Sequence, residues 1–193
     1  MGTDNLFYSR RIGRNPQHYP VVSDSEYVDM PKTSTILGAL KLSGKTKEGL
    51  SVGVLESVTN NEKALIDNAG NRRKESVEPL TNYFVGRLQK DFDKGETVLG
   101  GIITSVNRVI DNPALDYLHS AAYTGGIDFK HYWKERTWYF AGNAEFSHVM
   151  GKEKAIVRTQ ESSARYYQRP DADHLSVDSS LTSFSGYGGT FKS

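Results

Sequence analysis

The 193-residue chain has no cysteine, which removes disulfide frameworks, thiol nucleophiles and cysteine-ligated metals at once. That absence suits a protein exposed to the periplasm, and a cytosolic one equally. No excess charge of either sign is present. Twenty-four Lys and Arg stand against 23 Asp and Glu, a formal net charge of +1, which argues against a nucleic-acid-binding surface or a strongly acidic partner. Met1 to Pro20 is polar and aromatic, without the apolar core of a signal peptide. Nowhere does the sequence approach the run of about 18 apolar residues that a membrane-crossing helix needs. If the chain lies in a membrane, it does so as strands, and an export signal is then expected outside this sequence.

Chemical motifs are equally sparse. His18, His119, His131, His148 and His174 are scattered, and none has a metal-ligand spacing. The sequence has no P-loop, no nucleophile elbow and no Gly-rich turn entering a helix, so no catalytic residue, metal or cofactor is assigned. Gly125-Gly126 and Gly188-Gly189 sit in strand-like contexts, where glycine permits bending or close packing.

What the sequence does carry is period-two alternation, with 18 Gly and more Tyr (11) than Phe (8). Ile36, Gly38, Leu40 and Leu42 alternate with Ala39, Lys41, Ser43 and Lys45. After the turn Thr46–Gly49, the residues Leu50, Val52, Val54 and Val58 alternate with Ser51, Gly53 and Ser57; Leu55 and Glu56 break the pattern. The arrangement recurs. Phe84, Gly86, Leu88 and Phe92 oppose Arg87, Gln89 and Asp91, and the return strand places Val98, Gly100, Ile102 and Val106 on one face. In a third hairpin Ala121, Tyr123, Gly125, Ile127, Phe129 and Trp133 alternate with Thr124, Gly126, Asp128, Lys130 and Tyr132. Its partner sets Trp138, Phe140, Ala144 and Phe146 against Tyr139, Asn143, Glu145 and Ser147. Leu181 to Phe191 reads as the beginning of a further strand. The pattern predicts an all-β fold, an antiparallel meander of long hairpins.

Short turns within hairpins alternate with long, polar connections: Thr59–Pro79, Arg108–Leu118 and Val149–His174. Outer-membrane barrels show this asymmetry between their two ends, and a soluble up-and-down barrel has less reason to keep every long loop at one end. The segments also approach the roughly 9–11 residues of a tilted membrane-crossing strand, longer than the usual 5–6 of globular sheets. Phe92, Trp133, Trp138 and Phe140 gather at short turns, as an aromatic girdle would; cross-strand aromatic pairing in a soluble hairpin gives the same pattern. Lys41, Arg87, Gln89, Asp91, Asp128, Lys130, Asn143 and Glu145 are the candidate lumen-facing residues. Each, taken singly, also fits the solvated face of an antiparallel sheet. Of two basic clusters, Arg72-Arg73-Lys74 reads as ordinary loop charge. Arg10-Arg11 with Arg14 leaves open an anion or surface-polysaccharide contact.

Several stretches carry a resemblance. Leu6-Phe-Tyr-Ser-Arg-Arg-Ile-Gly-Arg14, Leu40-Lys-Leu-Ser-Gly-Lys-Thr-Lys47, Val77-Glu-Pro-Leu-Thr-Asn-Tyr-Phe-Val-Gly-Arg87, Tyr123-Thr-Gly-Gly-Ile-Asp-Phe129 and Ser163-Ala-Arg-Tyr-Tyr-Gln-Arg-Pro-Asp171 resemble the domain-of-unknown-function 5916 family of Gram-negative bacteria. The resemblance covers nearly the whole chain. It implies a large exported protein in which a sandwich similar to a family 9 carbohydrate-binding module precedes an outer-membrane-type barrel. Residues 1–32 would then be the junction leading into the barrel, and 33–193 a partial barrel of six clear strands and the start of a seventh. No sugar-binding or catalytic residue carries over, and a hydrolase label would belong to the upstream module.

Two readings are carried forward. In the first, the chain is part of an outer-membrane β-barrel in contact with lipid or lipopolysaccharide, its parent protein linked to binding or uptake of surface carbohydrate. In the second, it is a soluble all-β module that binds carbohydrate with its long loops. An enzyme ranks below both.

Overall fold

The computed structural model describes residues 12–193. Period-two alternation becomes a seven-stranded antiparallel sheet. Its strands are β2 (Ile36–Lys45), β3 (Leu50–Thr59), β6 (Leu80–Phe92), β7 (Thr97–Val109), β8 (His119–Trp133), β9 (Trp138–Gly151) and β10 (Ser183–Lys192). They lie side by side in the order β10-β9-β8-β7-β6-β3-β2, each antiparallel to its neighbour. Strand lengths run from 10 residues in β2 and β3 to 15 in β8. The sheet is open, with β2 and β10 as its edges; no closed barrel forms within the described residues.

Three tight turns sit at one end of the sheet. In the first, Gly49 has φ +84 and accepts a 2.9 Å hydrogen bond from the Asp91 amide; a Cβ there would stand 2.8 Å from the Asp91 carbonyl. Only glycine fits so close an approach in a left-handed conformation. The turns after β6 and β8 also pass through left-handed residues, at Asp93, Lys94 and Gly95 and at Lys134, Glu135 and Arg136.

The other end departs from the expected polar loops. Thr59–Pro79 is itself a hairpin, β4 (Glu62–Asn68) and β5 (Asn71–Glu78), joined by β1 (Tyr27–Asp29) into a three-stranded sheet in the order β1-β4-β5. Arg72 and Arg73 therefore stand on a strand rather than a loop, paired with Asp67 and with Glu26. Arg108–Leu118 contains a single 3-10 turn, Pro113–Leu115, whose start is capped by the Asn112 side chain. In Val149–His174 the chain finishes β9 and then forms α1 (Glu153–Glu161), with Ala155, Ile156 and Gln160 turned inward.

The best-buried side chains lie at this end. Ile66, Val77, Leu115 and Ile156 are all fully buried, drawn from β4, β5, the 3-10 turn and α1. Two polar side chains among them are satisfied: Glu78 accepts from the Gln17 backbone and side-chain amides at 2.8 and 2.9 Å, and Gln160 exchanges two hydrogen bonds with the Asp178 backbone. The amino-terminal segment is pinned to the same cap, with His18 donating its amide to Val77 and Ser34 its amide to Arg14.

Candidate functional site

The registers sort every side chain of the large sheet onto one of two faces. Arg87, Ile102, Gly126 and Glu145 form one row across β6 to β9; Gln89, Gly100, Asp128 and Asn143 form the next; Asp91, Val98 and Lys130 form the third. Lys41 joins the same face from β2, opposite Leu55. All eight residues expected on a polar face therefore share one.

Five side chains on that face form a continuous polar chain. Arg87 grips the Asp128 carboxylate in a fork, at 2.5 and 2.9 Å, and reaches Gln89 at 3.3 Å. Gln89 donates to Asp91 at 3.2 Å, and Lys45 closes the line on Asp91. The chain crosses from β8 to β2 because small residues lie beneath it. A Cβ at Gly100 would meet the Asp128 carboxylate at 2.5 Å and the Arg87 guanidinium at 2.7 Å. Near the short turns Lys130 sits over the rings of Tyr132 and Tyr139, at 4.5 and 5.1 Å. Asn143 accepts from the Thr190 amide and hydroxyl of β10 at 2.8 and 3.0 Å, and Glu145 faces Gly188.

The opposite face is apolar and open. Leu40, Leu42, Leu88, Leu99, Ile103, Ile127 and Phe146 are all exposed there, Ile127 to 64% and Leu88 to 56%. A shallow groove of about 740 Å3 crosses it where Gly86, Gly101 and Gly125 carry no side chain. Phe146 packs over Gly125 so closely that a Cβ would stand 2.5 Å from its ring. The registers refine the reading of β7 and change that of β2. On β7 it is Leu99 and Ile103 that share it, while Val98, Gly100, Ile102 and Val106 lie on the polar face beside Arg87. On β2 the register shifts between Ile36 and Gly38, so Ile36 pairs with Thr59 and leaves the row of Gly38, Leu40 and Leu42.

Phe92, Trp133, Trp138 and Phe140 all fall on the apolar face at the short-turn end. Trp133 pairs across the strands with Trp138, while the Phe140 ring stacks on Phe191 at 6.0 Å and meets Phe129 at 6.4 Å. Phe191 and Phe129 thus extend the aromatic row.

At the capped end the structure assembles residues that no sequence spacing connects. Arg14, Arg108, Tyr117, His119 and Arg158 line a cleft of about 610 Å3. Arg14 was legible as part of a basic cluster, whose Arg10 and Arg11 lie outside the described residues. The others come from three separate connections or strand ends. Burial holds the Tyr117 hydroxyl above its ordinary pKa, and that hydroxyl donates to the Gln17 carbonyl at 2.8 Å. Among the described residues no group of three His, Cys, Asp or Glu side chains could hold a metal ion, and no helix is long and apolar enough to cross a membrane.

The family model described as Domain of unknown function (DUF5916) matches residues 2–181. The chain belongs to this family. No curated protein and no solved structure gives a significant match to it. In this DUF5916 chain, then, the two-faced sheet and its capped end are the features from which a function must be argued.

Proposed function

We propose that the seven-stranded sheet is part of the wall of an outer-membrane β-barrel, its apolar face toward lipid and its polar face toward an aqueous lumen. The observation that carries the reading is the segregation of the faces. One side exposes Leu, Ile, Val and Phe on all seven strands, interrupted by Glu56 between Leu40 and Phe84, while the other carries the Arg87–Asp128 and Lys45–Asp91 pairs. Soluble monomers rarely expose an apolar patch beyond a few hundred Å2. The outward row of β6 runs from Lys90 through Leu88, Gly86 and Phe84 to Asn82. Eight steps of about 3.4 Å span roughly 27 Å, which a tilted strand fits to the roughly 25 Å apolar band of such barrels. Phe92, Trp133, Trp138 and Phe140 then form the aromatic girdle at the lipid–water boundary, and Lys41, Arg87, Gln89, Asp91, Asp128, Lys130, Asn143 and Glu145 line the lumen. A role for the parent protein in binding or importing surface carbohydrate belongs to the same proposal.

Fractionation of cells producing the full-length gene product tests it. Recovery with the outer membrane, and release only by detergent, is the expected result. Recovery in the soluble fraction without detergent overturns the barrel and favours the soluble module.

A further inference from the structure

The cleft at the capped end gathers positive charge that the described protein does not neutralise. Arg14 comes from the amino-terminal segment, Arg108 from the end of strand β7 and Arg158 from α1, and no carboxylate lies within ion-pair distance of any of them among the described residues. Glu78, buried at this end, has its oxygens taken by Gln17, and Asp116, whose Oδ1 is buried, is paired with Lys152. With Asp116 matched by Lys152, the three guanidinium groups stand against Glu78 alone among the described residues, a surplus of two positive charges. The guanidinium nitrogens are also underused. Arg108 donates from one terminal nitrogen to the His119 carbonyl at 2.9 Å, but its Nε and that of Arg14 are buried without any acceptor. Leaving charged donors unpaired away from water is costly, so a site of this kind is stabilised by an acceptor that brings negative charge.

The surroundings favour a compact oxyanion. Arg158 lies over the Tyr117 ring at 4.9 Å, which fixes its planar fork without using its in-plane donors. His119 is held by a 2.7 Å hydrogen bond between its Nε2 and Thr159, whose hydroxyl donates to the Ala155 carbonyl at 3.0 Å. The hydroxyl proton is thus committed, so His119 donates from Nε2 and its Nδ1 has no proton to spare. Binding therefore falls to the arginines, whose forked donors match phosphate oxygens two at a time. Arg108 belongs to the row of Ile102, Thr104 and Val106, on the polar side of the sheet. The cleft accordingly opens away from the apolar face, to water.

We propose that Arg14, Arg108 and Arg158 form a binding site for a dianionic phosphate group carried by a water-borne ligand, such as a sugar phosphate. The inference does not depend on what covers the apolar face. It is tested by calorimetric titration of the full-length protein at low salt with three probes: inorganic phosphate, glucose 1-phosphate, and vesicles containing an anionic phospholipid. Saturable binding of both soluble phosphates is expected. Arg158→Gln, an exposed change on α1, should weaken it by about tenfold or more, and Arg158→Lys should weaken it less, because charge survives while the fork is lost. Arg108→Gln should act in the same direction, with circular dichroism checking that the sheet persists. Absence of saturable phosphate binding, binding unchanged in Arg158→Gln, or binding to the vesicles alone each overturns the proposal.

Discussion

Gly100 shows how one missing side chain organises a face. The Arg87–Asp128 fork passes directly over it, and both partners are only about one-third exposed. A methyl group there would displace both side-chain ends. The neighbouring Gly101 points to the other face, where the nearest atom to an added Cβ is the Gly126 carbonyl at 3.8 Å. Gly100→Ala should therefore lower the stability of the refolded full-length protein by about 1 kcal/mol, the scale of a partly exposed ion pair, and Gly101→Ala should leave it nearly unchanged. Denaturant midpoints of the two variants check this, and equal midpoints would show that the fork adds nothing. A second residue-scale effect concerns Asp67 in the β4–β5 turn. The Gly70 amide at 2.9 Å, and then Arg72, stabilise its charged form and hold its carboxyl below the ordinary 3.8. A lowered folded-state pKa means that the turn's contribution is full above pH 3.8 and disappears as pH falls through the lower, folded value. Carboxyl chemical shifts should give a pKa below 3.8 for Asp67, and Arg72→Gln should move it upward.

At the scale of the element, adjacent residues of one strand meet different surroundings. Ile102 and Ile103 are chemically identical, yet Ile102 pairs with Arg87 on the polar face and Ile103 with Gly86 on the apolar one. In a barrel wall, Ile103→Arg should destabilise the inserted protein by about 2–4 kcal/mol, the penalty for a cation facing lipid near mid-membrane, while Ile102→Arg should be much milder. Folding yield into lipid vesicles measures the difference, and equal yields would remove the lipid-facing assignment. The same pair explains what the sequence hid. Most sheet strands alternate apolar with polar or small residues, so their existence and most of their faces are readable, the breaks falling at Leu55-Glu56 in β3 and at the register shift after Ile36 in β2. In β7, Val98-Leu-Gly-Gly-Ile-Ile103 is apolar in both phases, and only pairing with β6 decides which set shares the apolar face. The β4–β5 hairpin was harder to see because its apolar residues Ala64, Leu65 and Ile66 form a short run among charges, although Asn68-Ala-Gly70 carries a turn signal. Helix α1, of nine residues, is about two and a half turns long and offers little periodicity. Apart from Arg14, the arginine cleft had no sequence signature, since its members meet only when β7, α1 and the amino-terminal segment converge.

For the whole molecule, the parity of the sheet has a consequence. Strands alternate in direction from β2 to β10, and seven is odd, so β2 and β10 run the same way. Joining these edges directly would make a parallel seam, which the continuous antiparallel ladder of a bacterial outer-membrane barrel does not contain. Antiparallel closure requires an odd number of additional strands. Among the described residues the outer edges of β2 and β10 have no strand partner, an arrangement hydrocarbon does not tolerate and water exposes to edge-to-edge aggregation. Both edges are also apolar on one side, with Leu40 and Leu42 exposed on β2 and Tyr187 and Phe191 on β10. The 193-residue chain refolded alone in detergent should therefore associate through these edges, and limited proteolysis should cut β10 and β2 before β6 to β8, which have partners on both sides. Size-exclusion chromatography and mass spectrometry of the fragments read this out. A monodisperse monomer whose edge strands resist protease as well as its centre would mean that the edges are satisfied some other way, and that the sheet is a finished unit rather than part of a larger wall.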